Sequence, residues 1–313
     1  MRILITGGAG FIGSNLAWSL LSGGHEVHVI DDMSRGKLSN LHPAVLTRTL
    51  DITGPALPEA VAAIAPDVVV HLAAQTSVSA SLADPQRDWS VNVEGTRAVA
   101  RAAREVRAKR VLSASSAAVY GEPVRIPVHE TDVKKPANPY GRSKLEAERV
   151  LAQELRGSGT DFASLRFSNV YGPRQDWQGE GGVVAIFSAA MTRKEAPVVY
   201  GTGKQTRDFI YVGDIVAAIS RAIVADTDLA EQGDDGPAYN ISTGTETSLE
   251  GLVAALRLVS GYLGPIRTCP AREGDVERSA LDPSKFFETT GFRANVPMES
   301  GLERTVEWLA RQG

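Results

Sequence analysis

Between Arg2 and Asp32 the chain runs through a pattern that few folds accommodate. Arg2-Ile3-Leu4-Ile5-Thr6 is a short apolar run of the buried-strand type. Gly7-Gly8-Ala9-Gly10-Phe11-Ile12-Gly13 follows at once, with glycines at 7, 10 and 13 and with Phe11 and Ile12 between the last two. A helical run from Ser14 to Leu21 comes next, and Gly23-Gly24 stops it. Val27-His28-Val29-Ile30 is a second strand, ending in Asp31-Asp32. Strand, glycine turn, helix, strand and acid make up a dinucleotide-binding unit. Glycine lets backbone approach a pyrophosphate, and the helix amino terminus supplies N–H donors and a positive dipole end. Asp31 would accept hydrogen bonds from ribose hydroxyls and repel a 2′-phosphate, which favours NAD over NADP. Arg35 and Lys37 lie close by and pull the other way. A tight turn without a ligand is the plain alternative, and the flanking strands and terminal acid speak against it.

Further strands follow in alternation with helices. Thr47-Arg48-Thr49-Leu50 ends at Asp51-Ile52, where a carboxylate and backbone could meet an adenine edge. Asp51 serving only its own turn fits the sequence equally well. Pro66 to Leu72 is a central strand, and the small Ala73 and Ala74 after it allow close passage of a cofactor. His71, on so apolar a run, reads as a satisfied core histidine. Asp88 to Arg107 is a long amphipathic helix with Val91, Val99, Ala103 and Val106 inward. Its arginine-bearing outer face is either solvated or a subunit contact. Arg110-Val111-Leu112-Ser113 runs into Ala114-Ser115-Ser116-Ala117-Ala118-Val119-Tyr120-Gly121. Hydroxyls at the carboxyl end of a parallel strand fall in the ligand crevice. There they bond a reacting oxygen or merely their own backbone.

Tyr140 and Lys144 stand four apart on a predicted helix introduced by Asn138-Pro139, and so share one face. An ammonium near a phenol favours the phenolate. A free tyrosine titrates near pH ~10, so a base working near neutrality needs a shift of roughly three units, about 4 kcal/mol. An exposed ion pair supplies only ~0–1 kcal/mol. Such a base therefore requires partial burial or a second positive charge, for which a nicotinamide cation would serve. An idle surface pair is what Tyr-x-x-x-Lys means in isolation.

The 313 residues suggest about two domains at ~150 each. They fall into two interleaved units, 1–172 for NAD (with 208–238 returning to it) and a second unit of 173–207 and 239–313. A net charge of -4 offers no basic field for nucleic acid or an anionic membrane, so an anionic substrate must be held by a few local arginines. Cys269 is the only cysteine, which excludes an internal disulfide and a cysteine metal cluster and fits a reducing cytoplasm. A strand pattern begins directly after Met1 and no apolar run reaches bilayer length, so neither a signal peptide nor a membrane span is expected.

Taken together, the Thr6–Gly13 turn, the Ser115–Gly121 segment, Tyr140/Lys144, Phe167-Ser168-Asn169-Val170-Tyr171-Gly172-Pro173-Arg174 and the Gly201–Asp214 stretch resemble the extended short-chain dehydrogenase/reductase family. The likeness is to its NAD-dependent nucleotide-sugar epimerases, and it covers nearly the whole chain. It implies an α/β fold: a Rossmann-type doubly wound parallel sheet with a smaller α/β carboxyl-terminal domain for the sugar nucleotide. It also implies an isomerase that inverts C4 of a UDP-hexose through a transient 4-keto sugar. Tyr140 would be the base, Lys144 would lower its pKa and bind the nicotinamide ribose, and Ser116 would bond the sugar O4. Gly7, Gly10 and Gly13, with Phe11 and Ile12, would cradle the pyrophosphate. Asp31 would hold the ribose, Asp51 and Ile52 would flank the adenine, and Ala73, Ala74 and Asn92 would line the cofactor channel. Asn169, Arg207, Arg272 and Asp275 would hold the nucleotide and sugar. Ser279 is small where the family often carries a bulkier residue, so N-acetylated sugars are expected to fit as well. Sugar 4,6-dehydratases carry Asp-Glu after the hydroxyl residue, where this chain has Ala117-Ala118. A uronate epimerase or decarboxylase would want an extra cation, and Asp176 follows Gln175 here. A dTDP-sugar substrate and a non-catalytic NAD-binding regulator are the remaining alternatives. The resemblance further implies a homodimer joined through the Asp88 and Tyr140 helices.

Overall fold

The sheet starts with β1 (Arg2–Thr6), whose successive side chains serve opposite layers: Ile3 and Ile5 enter one apolar core and Leu4 the other. The computed structural model describes residues 1–178, 182–230, 237–271 and 276–312. After β1 come β2 (Glu26–Asp31), β3 (Leu46–Thr49), β4 (Val68–His71), β5 (Arg110–Ser116) and β6 (Asp161–Phe167). Four short strands follow, β7 (Asn169–Tyr171), β8 (Val198–Tyr200), β9 (Thr206–Arg207) and β10 (Phe209–Tyr211), before β11 (Ala238–Ile241) returns to the main sheet. The order is β11-β6-β5-β4-β1-β2-β3, and every neighbouring pair is parallel. Strand order reverses between β1 and β4, and in such sheets ligands bind at the carboxyl ends of the strands beside that point.

A parallel sheet needs cover on both faces, and helices supply it. Following β1 is α1 (Phe11–Ser22), then α2 (Leu57–Ile64), α3 (Val78–Ala83), α4 (Pro85–Trp89), α5 (Gly95–Glu105), α6 (Pro139–Leu155), α7 (Val183–Thr192) and α8 (Val212–Ile223). Leu16 of α1 and Ile215 and Ile219 of α8 fill one layer; Leu57, Val61, Val99, Leu151 and Leu155 of α2, α5 and α6 fill the other. Each such fully buried side chain contributes about 1.5–3 kcal/mol of transfer free energy. The smaller unit adds β12 (Thr247–Ser248), α9 (Leu249–Ser260), β13 (Arg267–Cys269) and α11 (Met298–Ala310), with α10 (Ser284–Thr290) between the last two. Its core joins Phe187 and Met191 of α7, Leu252 and Leu256 of α9 and Leu302 of α11. Among the described residues no helix is long and apolar enough to cross a membrane.

Two expectations shift. The sequence assigns 239–313 to the smaller unit, yet β11 is the edge strand of the main sheet, and Phe286 of α10 packs in the main core against Tyr239. A strand pattern alone does not say which sheet the strand joins. The helix expected at 88–107 is interrupted: residues Ser90–Glu94 form a wide π turn between α4 and α5. Such turns arise where side chains compete for the i→i+4 ladder. Here the Thr96 hydroxyl donates to Asn92 O at 2.6 Å, and the Asn92 amide is drawn sideways to Gln75 and Ser143.

Candidate active site

The glycine turn lies at the switch point. Gly7 has φ +71°, and a Cβ there would stand 2.6 Å from Ala73 N on β4's exit. A Cβ on Gly13 would stand 2.3 Å from Gly7 O, so these two glycines are required by packing. At Gly10, by contrast, a Cβ would meet only Gly7 O, at 3.3 Å. Its outer side, at the amino terminus of α1, is therefore open for a pyrophosphate. Asp31, at the end of β2, is 5 % exposed and braces the same turn. One carboxylate oxygen accepts from Ala9 N and the other from Met33 N, both at 2.9 Å. Burial raises its pKa. These residues fit NAD: an open cradle at a helix amino terminus, and a carboxylate whose remaining lone pairs can take ribose hydroxyls.

The other residues expected at the cofactor divide by what they touch. Ala73 and Ala74 are half-buried beside Gly7. Asp51 is exposed, and one oxygen accepts from Thr53 N and Oγ1, both at 2.8 Å, so it does serve its own turn. Ile52 is buried in the core under α5 and can present only backbone to a ligand. Asn92 is 1 % exposed, and its amide is spent within the chain. Oδ1 accepts from Gln75 N at 2.9 Å, and Nδ2 donates to Gln75 O and Ser143 Oγ, both at 3.0 Å. It braces the crevice wall rather than lining it. His71 is the satisfied core histidine expected. Nδ1 meets Thr6 Oγ1 at 2.7 Å and Nε2 meets Thr96 Oγ1 at 3.1 Å. Burial pushes its pKa down to about 3.

At the end of β5, three consecutive residues each engage α6. Asn138 caps the helix by accepting from Gly141 N at 2.9 Å, and Pro139 opens its first turn. Gly141 lets that turn press on Ala118 O, which a Cβ would approach to 2.5 Å. This packing sets Tyr140 facing Ser116, close enough for the hydroxyl to favour the ionised phenol. Ser116 Oγ also accepts from Ala118 N at 3.2 Å, so it serves its own backbone as well. Lys144, 6 % exposed, donates from Nζ to Ala114 O at 3.0 Å. Ser115 Oγ donates to Glu148 on the next turn of the same helix face.

The electrostatics differ from the sequence expectation. In the protein by itself the Tyr140 phenol is raised above its ordinary value: burial and the nearby Asp88 charge outweigh the opposing influence of the Ser116 hydroxyl. The Lys144 ammonium is directed at Ala114 O instead, and burial lowers it to about 8, with Asp88 and Glu148 opposing the fall. Asp88 is 1 % exposed; Oδ1 accepts from Gln75 Nε2 at 2.7 Å, and Oδ2 is buried without a hydrogen-bond partner among the described residues. The Asp88 carboxylate acts on both Tyr140 and Lys144. The second positive charge required by the magnitude argument is thus still required.

Of the residues expected at the substrate, Asn169 is exposed at the start of β7 and Arg207 half-buried on β9, with Nη1 donating to Thr206 O at 2.7 Å. Asp208 beside it is fully buried and accepts from Thr243 N, Thr243 Oγ1 and Gly244 N at 3.0, 2.7 and 3.0 Å, which fixes the loop after β11. Ser279 is half-buried next to Arg278, which pairs with Glu246. Arg272 and Asp275 lie outside the described residues. Asp88, Glu148 and Arg166 were not anticipated. The repeated four-residue step Tyr140, Lys144, Glu148 was the available signal for the second.

Comparison with known proteins agrees with this geometry. The chain is 39% identical to a UDP-glucose 4-epimerase of Mycolicibacterium smegmatis, over 99% of this chain and 98% of that protein. Its structure superposes with TM-score 0.92, at 37% identity, on that of UDP-glucose 4-epimerase with UDP-glucose from Thermotoga maritima, covering 100% of this chain and 99% of the other. The UDP-N-acetylglucosamine 4-epimerase of Methanobrevibacter ruminantium, in complex with UDP-N-acetylmuramic acid, gives TM-score 0.92 at 31% identity over 100% and 99%. The model of the NAD-dependent epimerase/dehydratase family matches residues 3–242, and the chain belongs to that family.

Proposed function

We propose that the protein interconverts UDP-glucose and UDP-galactose by inverting C4 through a transient 4-keto sugar. The carrying observation is that α6 sets Tyr140 facing Ser116 and Lys144 on Ala114 O at the carboxyl end of β5, the same end of the sheet that holds the glycine turn after β1. NAD when bound supplies the reversible acceptor for the C4 hydride. Gly7, Gly10, Gly13 and the backbone of Phe11 and Ile12 hold its pyrophosphate, Asp31 its ribose, and Ala73 and Ala74 leave it room. Tyr140 takes the proton of the C4 hydroxyl and later returns one to the same oxygen. Ser116 bonds that oxygen and keeps it in line with the phenol. Lys144 supplies positive charge to the ionising phenol and a donor for the nicotinamide ribose. Asn169, Arg207, Arg272 and Asp275 hold the nucleotide while the keto sugar turns over.

Small Ser279 is read as the residue beside the C2 substituent, so the N-acetylated pair belongs to the same proposal; the likeness to a UDP-N-acetylglucosamine 4-epimerase supports it. We also propose a homodimer joined through the Asp88 and Tyr140 helices, and a reducing cytoplasm, with sedimentation at micromolar concentration to read the assembly. The decisive experiment assays both sugar pairs with wild type and Tyr140→Phe. Loss of the phenolic base should cost roughly 10²–10⁴-fold in kcat with the fold intact. A variant retaining near-wild-type epimerisation removes Tyr140 from this role.

A further inference from the structure

We infer that Glu148 is a positioning residue for this reaction: its carboxylate, clamped between the Ser115 hydroxyl and the Arg166 guanidinium, locks the Tyr140–Lys144 face of α6 onto β5 and supplies the counter-charge behind Lys144. The inference rests on the role proposed above for Tyr140 and Lys144. Tyr140, Lys144 and Glu148 occupy successive turns of one helix face. Lys144 and Glu148 hydrogen-bond Ala114 O and the Ser115 hydroxyl, and Tyr140 faces Ser116, so the helix face meets three consecutive residues of β5. Ser115 and Arg166 are paired neighbours on β5 and β6. Glu148 Oε1 accepts from both, with Arg166 Nε at 2.8 Å, and Oε2 accepts from Arg166 Nη2 at 2.6 Å. The pair is bidentate and nearly inaccessible, with side-chain exposures of 2 % and 10 %.

Behind the pair a polar chain continues to the sheet edge. Arg166 Nη1 donates to the Tyr120 hydroxyl at 2.8 Å, which donates to Asn240 Oδ1 on β11 at 2.7 Å. Asn240 N donates to Glu130 Oε1 at 2.7 Å. A buried pair replaceable by apolar packing is weak evidence for stability as such. What apolar packing could not supply here is a carboxylate one turn from the catalytic ammonium. Lys144 is faced by Asp88 from α4, by Glu148 from its own helix, by His71 from β4 and by Tyr140. Burial drives its proton off, and the two carboxylates oppose that loss. The charged groups facing Glu148 are Lys144 on its own helix and Arg166 on β6, with Tyr120 beside the guanidinium and Glu130 beyond it.

The test is the pH profile of kcat for the NAD-loaded enzyme. Glu148→Gln keeps the side chain's shape but leaves the Arg166 cation unbalanced beside Lys144. The ammonium then loses its proton sooner, and the high-pH limb should move down by about one unit. Arg166→Gln leaves the carboxylate unbalanced, and the limb should move up by a comparable amount. The double variant restores neutrality and should return the limb to within a few tenths of a unit of wild type. Limbs that stay in place in both single variants, or move in one direction, overturn the inference and leave the network a structural tie. Should Glu148→Gln not fold, the sign found for Arg166→Gln decides. Failure of the underlying tyrosine–lysine reading shows separately, as a Tyr140→Phe enzyme that still turns over.

Discussion

Lys144→Met should stabilise the NAD-free protein while abolishing its turnover. Burial takes the ammonium from its ordinary 10.5 to about 8. At about 1.4 kcal/mol per unit, the charged side chain is held at a cost of about 3.4 kcal/mol relative to water. Removing it also gives up the bond to Ala114 O, about 1–1.5 kcal/mol, which leaves a net gain of about 2 kcal/mol near pH 7. The sign with pH follows from proton counting. Between about 8 and 10.5 the unfolded chain binds the proton and the folded chain does not, so the wild type gains stability as pH rises through that window. By about pH 9.5 it recovers about 2 kcal/mol, whereas the methionine variant has nothing to recover. Urea unfolding of both proteins, followed by circular dichroism near pH 7 and again near pH 9.5, measures the gap. It should be widest at the lower pH and nearly closed at the higher. A variant less stable than wild type near neutrality, or a gap indifferent to pH, would refute the reasoning.

The same approach yields three further outcomes. In Gly13→Ala the new Cβ stands 2.3 Å from Gly7 O, so helix and turn must part, costing about 1–3 kcal/mol in stability. In Gly10→Ala, nearest contact 3.3 Å, stability should fall less than in Gly13→Ala, while NAD affinity, read by titration calorimetry, falls because the new Cβ stands at the open side of the turn. His71 should make the protein acid-sensitive. Its folded pKa of about 3 lies below the unfolded value near 6.5, so the unfolded chain takes up the proton first as pH falls. Wild type should lose about 2 kcal/mol between pH ~7 and ~5 that His71→Asn does not lose, measured as the difference in urea midpoints at the two pH values.

The sequence shows the parts that depend on local chemistry. Glycines at 7, 10 and 13 between two apolar runs, with an acid after the second, announce the cofactor turn because each glycine answers a contact made within a few residues or by one adjoining strand. The neutrality of His71 is legible for the same reason: an imidazole on a run of valines has no charged partner in reach of its own strand. What depends on pairings distant in sequence is hidden. β11 looks like any short strand, and its place beside β6 follows from Tyr239 packing on Phe286 and Asn240 reaching Tyr120, contacts spanning 47 and 120 residues. The π turn at 90–94 arises because Asn92 is pulled towards Ser143, 51 residues away, and no periodicity within the helix predicts it. Asp88 is only the start of a helical pattern in the sequence, and the fold buries it against Tyr140 and Lys144.

The raised phenol and the lowered ammonium have one origin, and it explains why the Tyr-x-x-x-Lys spacing is insufficient by itself. A helix face places the two side chains one turn apart, but each is then priced by its surroundings: burial disfavours both charged forms, and Asp88 opposes the phenolate while favouring the ammonium. The fold answers by tying α6 to β5 through Lys144 on Ala114 O and Glu148 on Ser115, which leaves Tyr140 facing Ser116 between the same two elements. Geometry is stored in helix–strand register, and charge is left to be supplied at the moment of reaction. On the proposed role of Tyr140, a base arranged in this way would be idle without NAD, which would keep proton abstraction coupled to the presence of an acceptor for the hydride. Borohydride-free assays of proton exchange at the sugar hydroxyl cannot report this, since hydroxyl protons exchange with water unaided. The coupling is instead read from the phenol itself, whose ultraviolet titration in wild type minus Tyr140→Phe should move to lower pH when NAD is added and stay in place if the positive charge plays no part.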